Sequence, residues 1–196
     1  QTAENTGLQN ATWMQKDLSQ LPTFPTHDLI VCSYALNELS LDNARQVLNA
    51  AWSAARVALI LIEPGTMPGF ALIRQLRDDL IQRGGHLIAP CPHQEPCPLP
   101  PDDWCHFSQR LNRTSLHRHL KVGHLGYEDE KFSYIAASKT PIVPAQARVL
   151  RHPIRRTGHT QMQLCTQDGL QNITVTRSDK PNWSRVKKTN WGDAWS

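Results

Sequence analysis

The chain has 196 residues, of which 39% are hydrophobic and 19% charged, and its formal net charge is +4. This length suffices for one domain with a sizeable core and a small further module. Because the sequence has no run of about 18 apolar residues and no basic-then-apolar leader, we expect no membrane partner and no signal peptide. The chain begins with Gln1 rather than Met, so we expect part of a longer protein; the sequence leaves the oligomeric state open.

Three segments near the start of the chain have the pattern of strands. Residues 11–17 are interpreted as a short strand that ends at Asp17. Residues 28–34 and 57–62 are apolar on successive positions, which is typical of strands buried on both faces of a parallel sheet. Cys32, inside the first of these runs, is predicted to be a core residue.

Helical patterns separate these strands. Ser40 is a candidate N-cap, and apolar residues follow it at helical spacing up to residue 55. A second helix is expected to start near Pro68 and to stop at the glycines 84–85, before a third strand at 86–89. The alternation predicts an α/β domain with a largely parallel sheet.

Residues 90–105 break this pattern, because six of the sixteen are Pro and three are Cys. Proline removes backbone donors, so we expect an ordered loop without helix or strand. A basic helix is predicted within 113–121 and a strand at 131–137. From residue 144 short strands are expected at 148–150, 159–165 and 171–176, with Asp168-Gly169 as the hairpin turn between the last two. The predicted domains are therefore 1–143, including a loop at 90–106, and a basic β module with a tail at 144–196.

The cysteines are the most informative residues. Five occur, and an odd number without a secretory leader favours metal ligands or core thiols over disulfides. Three are close together and a fourth lies further on: Cys91, Cys97, Cys105 and Cys165. Zinc ribbons use tighter pairs, whereas a wide, proline-stiffened loop can surround an iron–sulfur cluster held by four thiolates. The spacing leaves cluster and zinc open, and His93 or His106 is an alternative ligand.

The segments DLIVCSYALNEL (28–39) and LILIEPG (59–65) resemble the middle of a class I S-adenosylmethionine-dependent methyltransferase. The resemblance makes 28–34, 57–62 and 86–89 the fourth to sixth strands of a Rossmann-like sheet. It makes 131–137 the antiparallel seventh strand and leaves strand four with an exposed edge.

This resemblance also implies cofactor contacts at the carboxyl ends of the strands. Those residues are Asp17, Ser33, Tyr34, Asn37 and Glu63. In the alternative interpretation, Asp17 caps a turn and Asn37 only leads into a helix. The Gly-rich turn and the acidic ribose ligand of such enzymes do not occur in this sequence, so we expect no complete S-adenosylmethionine site from this chain alone and leave enzymatic activity open.

The stretch LIAPCPHQEPCPLPPDDWCHFSQRLNR (87–113), with YEDEKFSYIAASK (127–139) and RTGHTQMQLCTQDG downstream, is more specific. It resembles the methyltransferase-like family of the mitochondrial small ribosomal subunit and its bacterial relatives, over residues 28 to 195. The resemblance implies a four-iron–four-sulfur cluster on Cys91, Cys97, Cys105 and Cys165, a role in small-subunit assembly, and contact with rRNA. It places the protein in the bacterial cytoplasm or the mitochondrial matrix. The alternatives are an active rRNA methyltransferase, of which this is the C-terminal part, and a zinc-stabilised nucleic-acid-binding module.

Charge is distributed unevenly along the chain. Residues 1–104 contain 6 Lys and Arg against 11 Asp and Glu, a balance of −5, and residues 105–196 contain 15 against 6, a balance of +9. A basic segment of this kind favours a polyanionic partner over a merely solvated surface. The candidate RNA contacts are Arg110, Arg113, Arg118, Lys121, Arg155, Arg156, Lys187 and Lys188. Trp183 and Trp191 either stack on bases or anchor the tail in a core.

Overall fold

The structure, a computed structural model, describes residues 11–20, 23–113 and 126–195. The first lobe contains β1 (His27–Ser33), α1 (Leu41–Ala54), β2 (Ala55–Pro64), α2 (Met67–Gln82), β3 (His86–Ala89), β4 (Phe107–Asn112) and β5 (Tyr127–Ser138). The second lobe contains β6 (Ala147–Val149), β7 (Ile154–Arg156), β8 (His159–Thr166), β9 (Gly169–Thr176), α3 (Lys180–Val186) and β10 (Ala194–Trp195). Within the described residues, every helix is too short or too polar to cross a membrane.

The first sheet is mixed. Its order is β1-β2-β5-β3, and β4 pairs with the other part of β5. Among the described strands of this sheet, only β1 and β2 pair in parallel, whereas β5 runs antiparallel to β2, β3 and β4. The predicted antiparallel strand at 131–137 is confirmed. Strands β1, β2, β3 and β4 therefore run in the same direction, so the predicted largely parallel sheet is confirmed for strand direction. It is not confirmed for pairing, because β5 lies between β2 and β3 and makes the neighbouring pairs antiparallel.

Strand β1 lies at the edge of this sheet, as the resemblance implies, but it is not buried on both faces. Ile30 and Cys32 pack against the core of the lobe, which confirms the predicted place of Cys32. Leu29 and Val31 point to the opposite face and are 52% and 51% exposed. Successive side chains of a strand point to opposite faces, and among the described residues only one face of β1 is covered.

The two helices begin and end close to the predicted positions. The Ser40 side chain accepts a hydrogen bond from the Asn43 backbone N–H and caps α1. Thr66 caps α2 in the same way, through the N–H of Gly69, and Pro68 lies in the first turn. Chain reversal after α2 uses Gly84 at φ 76°. Apolar side chains of both helices fill the core against β2 and β5.

Gly69 is required by a close backbone approach. A Cβ at this position would lie 2.1 Å from the carbonyl oxygen of Pro64. We therefore expect Gly69→Ala to lower the free energy of unfolding by roughly 2–3 kcal/mol, as overpacking in cores does. Urea denaturation measures the change. Gly158→Ala would be strained by its φ of 87°, so Gly126→Ala is the control, since a Cβ there meets no atom of the described residues within 4 Å. Equal midpoints for the two variants would contradict the expectation.

Two local predictions have clear outcomes. Residues 11–17 do not form the predicted strand. Asp17 instead closes a turn, in which its carboxylate accepts hydrogen bonds from the Ser19 backbone N–H and hydroxyl at 2.9 and 2.7 Å. From residue 114 onward, the predicted basic helix lies outside the described residues.

The second lobe is an antiparallel sheet of order β10-β6-β8-β7, with β9 on the other side of β8. Thr166 pairs with Gly169, so the hairpin predicted at Asp168-Gly169 is confirmed, and Gly169 has φ 103°. Met162, Leu164 and Val175 form a separate core with Val186. The domain boundary at residue 143 stays a prediction; the last strand of the first sheet ends at Ser138.

Candidate metal centre

A cavity of about 30 Å³ lies where the loop of residues 90–106 meets the second lobe. Its lining includes the four predicted ligands, Cys91, Cys97, Cys105 and Cys165. The space exceeds the roughly 10–15 Å³ that one water molecule needs, whereas folded interiors normally close such voids. The structure therefore brings four thiols from distant parts of the sequence around one unfilled volume.

The loop that carries three of these cysteines is held by backbone contacts to the first lobe. Ser133 donates its hydroxyl to the Cys105 carbonyl at 2.8 Å, and the Trp104 indole N–H donates to the Gly65 carbonyl at 3.0 Å. Arg74 donates to the Cys97 carbonyl at 3.4 Å. These bonds fix a segment that contains no helix or strand of its own, as its proline content predicts.

Contacts across the cavity join the two lobes. Leu99, Leu150 and Phe70 form a small core with Cys165, and Trp104 packs against it. The Arg148 Nε donates to the Pro90 carbonyl at 3.0 Å. Arg151 forms an ion pair with Asp103 and also donates to the Trp104 carbonyl at 3.3 Å. The fourth thiol, that of Cys165, lies on β8, and β8 packs against the loop that carries the other three.

Burial disfavours ionised thiols at this site. It raises the pKa of Cys165 to about 12, and the nearby Cys91 and Cys97 thiols add to the rise. The pKa values of Cys91 and Cys105 are also raised, first by burial; at Cys91 the charge of Arg77 and a hydrogen bond from it act in the opposite direction. Metal ions that bind the four sulfurs as thiolates must therefore displace the protons of the thiols.

Arg77 is the charged residue most deeply placed beside the thiols. It is 3% exposed and donates to the carbonyls of Glu95 and His93 at 2.6 and 3.2 Å. Its Nε has no hydrogen-bond partner among the described residues. Together with Arg74 and Arg148 it surrounds the cavity with positive charge. Four soft sulfur donors and buried guanidinium groups suit an anionic, thiolate-ligated centre.

We expect Arg77→Leu to destabilise the loop of residues 90–106. The substitution removes the charged donor from the carbonyls of His93 and Glu95, and such bonds contribute about 1.5–3 kcal/mol each. The free energy of unfolding should fall by roughly 3 kcal/mol in urea denaturation. Arg83→Leu is the matched control, because Arg83 is exposed at the end of α2. A fall of the same size in both variants would refute a specific role for Arg77.

The two alternative histidine ligands differ in position. His93 lines the cavity, and its Nε2 lies 3.5 Å from the Cys165 sulfur. His106 is not part of that lining; it stacks on Trp104 with ring centroids 5.0 Å apart and meets the edge of Trp191 at 4.9 Å. Within residues 11–20, 23–113 and 126–195, no three His, Cys, Asp or Glu side chains are arranged to hold a single metal ion.

Glu63, predicted to face the cofactor, is fully buried. Its Oε1 accepts the backbone N–H of Leu36 at 2.9 Å, whereas its buried Oε2 has no hydrogen-bond partner among the described residues. Burial raises the pKa of Glu63, although the backbone amides of Ala35, Leu36 and Asn37 act to lower the pKa of this carboxyl group. The side chain therefore ties the end of β2 to the segment after β1.

The other predicted cofactor residues are exposed. The carboxyl end of β1 is Ser33, and the chain continues through Tyr34 to Asn37. The Tyr34 hydroxyl donates a hydrogen bond to Glu130 at 2.9 Å. Tyr34 has φ 53°, in the left-handed region. Asp17 closes the turn described above. Binding of S-adenosylmethionine by these residues stays a prediction.

The candidate RNA contacts fall into two groups. Arg110 forms a bidentate ion pair with Asp129 at 2.8 and 2.9 Å, and Arg113 pairs with Glu128 at 3.0 Å. These carboxylates compete with phosphate for the guanidinium groups. Neither partner is evident from the sequence, because strand register alone brings residues 110 and 129 opposite each other. Arg118 and Lys121 lie outside the described residues.

The candidates of the second lobe are more accessible. Arg156, Lys187 and Lys188 are exposed, whereas the Arg155 guanidinium donates to the Thr189 carbonyl. Lys187 lies 5.8 Å above the ring of Trp183. Three tryptophans of the tail are half-buried or buried, which favours their interpretation as anchors: Trp183, Trp191 and Trp195.

The molecule is thus a mixed α/β lobe joined through a cysteine-lined cavity to a basic antiparallel β lobe. The model of the family described as "Mitochondrial small ribosomal subunit Rsm22" matches residues 2–196, and the chain belongs to this family. This confirms the resemblance drawn from the sequence.

One human protein and two fission yeast proteins are similar in sequence to this chain. The human "Ribosome assembly protein METTL17, mitochondrial" is 28% identical over 190 residues, which cover 88% of this chain and 41% of the relative. The fission yeast proteins "Rsm22-cox11 tandem protein 2, mitochondrial" and "Rsm22-cox11 tandem protein 1, mitochondrial" are each 24% identical over an alignment of 216 positions, gaps included, that covers 86% of this chain and 29% of each relative. The chain therefore spans less than half the length of these relatives.

Proposed function

We propose that the protein is an assembly factor of the small ribosomal subunit that binds rRNA through its second lobe and carries a four-iron–four-sulfur cluster at the junction of its lobes. One observation carries the ribosomal assignment: the match to the mitochondrial small-subunit family covers nearly the whole chain, including both lobes and the cavity. The name of the human relative, a ribosome assembly protein of mitochondria, supports the same role and a mitochondrial location.

The cavity supports a cluster over a single zinc ion. Zinc draws four sulfurs to about 2.3 Å from one point, which closes the space between them. Here the thiols of Cys91, Cys97, Cys105 and Cys165 surround a volume that side chains leave unfilled. These four residues would hold the cluster. Bound there, it would supply a covalent link between the loop and β8 and a redox-sensitive centre.

Metal analysis of anaerobically purified protein tests the centre. We expect about four irons and four sulfides per chain with broad visible absorbance, as a four-thiolate cluster requires. Simultaneous replacement of Cys91 and Cys97 by Ser should remove both, whereas Cys32→Ser should leave both, because Cys32 packs in the core of the first lobe. One zinc per chain without iron would refute the cluster and leave the zinc-stabilised module as the interpretation.

Salt dependence tests the RNA contacts. Affinity for a small-subunit rRNA fragment should fall steeply with salt, because bound lysines and arginines release counterions from phosphates. Lys187→Gln with Lys188→Gln should reduce the slope of log affinity against log salt by about 1.4 for single-stranded contacts. Arg83→Gln, which removes a charge from the first lobe, should leave the slope unchanged. A flat response of the parent protein would contradict RNA binding.

A further inference from the structure

One face of the second sheet carries a row of polar side chains in register. Gln161 and Gln163 lie on β8 opposite Thr174 and Asn172 of β9. The alternate residues of β8, such as Met162, point into the core. We call the four side chains Gln161, Gln163, Asn172 and Thr174 the amide face. They line a surface groove of about 350 Å³ together with His152 and Ile154.

The amide face is unpartnered within the part of the chain that the structure describes. None of its four side chains hydrogen-bonds to another described residue. Gln161, Asn172 and Thr174 are exposed, and Gln163 is half-buried. The face thus presents three carboxamides and one hydroxyl on a single strand pair. The face therefore offers several donors and acceptors at fixed spacing.

Charge indicates what this groove accepts. Residues 144–196 contain 9 Lys and Arg against 3 Asp and Glu, a balance of +6. Arg156 pairs with His159 at one end of the same face, so a cation lies beside the carboxamides. Ile154, in register with Gln161, is 51% exposed and provides an apolar contact for a flat ring.

We infer that the amide face binds unpaired RNA nucleotides, with its carboxamides hydrogen-bonded to base edges and Arg156 placed against the phosphates. Carboxamides match the donor and acceptor pairs of base edges, which are accessible in single-stranded RNA but not in the deep groove of an RNA duplex. The inference rests on the proposed RNA binding and adds to it a surface that distinguishes sequences. A purely phosphate-binding surface would not make this distinction.

The position of the face links it to the cavity. Cys165 lies two residues beyond Gln163 and on the same side of β8, where the loop of residues 90–106 covers the sheet. Arg151 lines the groove and donates to the Trp104 carbonyl of that loop. The groove therefore ends at the wall of the cysteine-lined cavity.

Binding of short RNAs by the intact chain, purified anaerobically, tests the inference. The probes are single-stranded 12-mers of each base and one duplex of the same length. We expect the parent to prefer single strands and to discriminate among them. The double variant Gln163→Ala/Asn172→Ala should lose about tenfold in affinity for the preferred strand, with its salt slope unchanged, since base-edge contacts contribute about 1–3 kcal/mol without releasing counterions.

Two further variants of the chain serve as controls. Gln75→Ala/Gln82→Ala removes two exposed carboxamides of α2 and should behave like the parent. Thr174→Ala, at an exposed position, should weaken binding in the same direction and replaces the double variant as the test if that variant fails to fold. Parental affinity and discrimination in folded Gln163→Ala/Asn172→Ala would overturn the inference, leave RNA binding intact and point to a protein ligand for this face. A parent that binds none of the RNAs would overturn both this inference and the proposed function.

Discussion

Replacing Cys165 with Ser should loosen the whole second lobe while leaving the first lobe folded. Cys165 is the only one of the four cavity cysteines that comes from β8, so its loss removes the covalent link that a cluster would make between the lobes. Amide hydrogen exchange across residues 144–195 should accelerate by about 100-fold, which corresponds to about 2.8 kcal/mol of local opening free energy. Exchange in α1 and β2 should stay at the parent rate.

Two controls separate the cluster from the substitution itself. Cys32→Ser makes the same chemical change outside the cavity and should leave exchange in the second lobe unchanged. The iron-free parent should exchange as fast as Cys165→Ser, because metal binding and folding are coupled. Equal exchange in loaded parent and variant would show that the packing of Leu99 and Leu150 alone joins the lobes.

Replacing Glu63 with Ala should give the second large effect. The carboxylate accepts the backbone N–H of Leu36, and a buried donor left unsatisfied costs about 1–3 kcal/mol. We expect the free energy of unfolding to fall by roughly 2–3 kcal/mol, measured in urea. Glu38→Ala is the control, because Glu38 is exposed in the same segment. Similar stabilities of the two variants would contradict a supporting role for Glu63.

The raised pKa of Glu63 also predicts a pH dependence. Because burial raises this pKa, the folded protein keeps the proton at a pH at which the unfolded chain has lost it. Stability from this group is therefore complete below the ordinary carboxyl pKa and declines as the pH rises through the folded value. Glu63→Gln should remove the decline. The difference in stability between parent and Glu63→Gln, followed from about pH 4 to 7, would be constant if the pKa were ordinary.

The sequence predicts most of the elements that position the cavity. Ser40 caps α1, a proline opens α2, and Asp168-Gly169 turns the hairpin, because each depends on a local backbone requirement. The shared lining of the four cysteines also follows from the resemblance. Local chemistry and a specific motif therefore suffice for the framework and for the candidate ligands.

The features that were missed depend on long-range partners. Strand β4 and helix α3 are polar along most of their length, so periodicity does not indicate them. Arg110 looks free in the sequence but pairs with Asp129 only because β4 and β5 align in that register. The burial of Glu63 likewise depends on its contact with residues 35–37, which the sequence does not place beside it.

The lining of the cavity has a consequence for the timing of synthesis. Cys91, Cys97 and Cys105 are translated within a span of 15 residues, and Cys165 follows 60 residues after the third. A centre enclosed by all four cannot be sealed until most of the second lobe has left the translating ribosome. Nascent chains interrupted before β8 would expose three thiols to oxidants, so completion of the polypeptide would serve as a checkpoint for loading the proposed cluster.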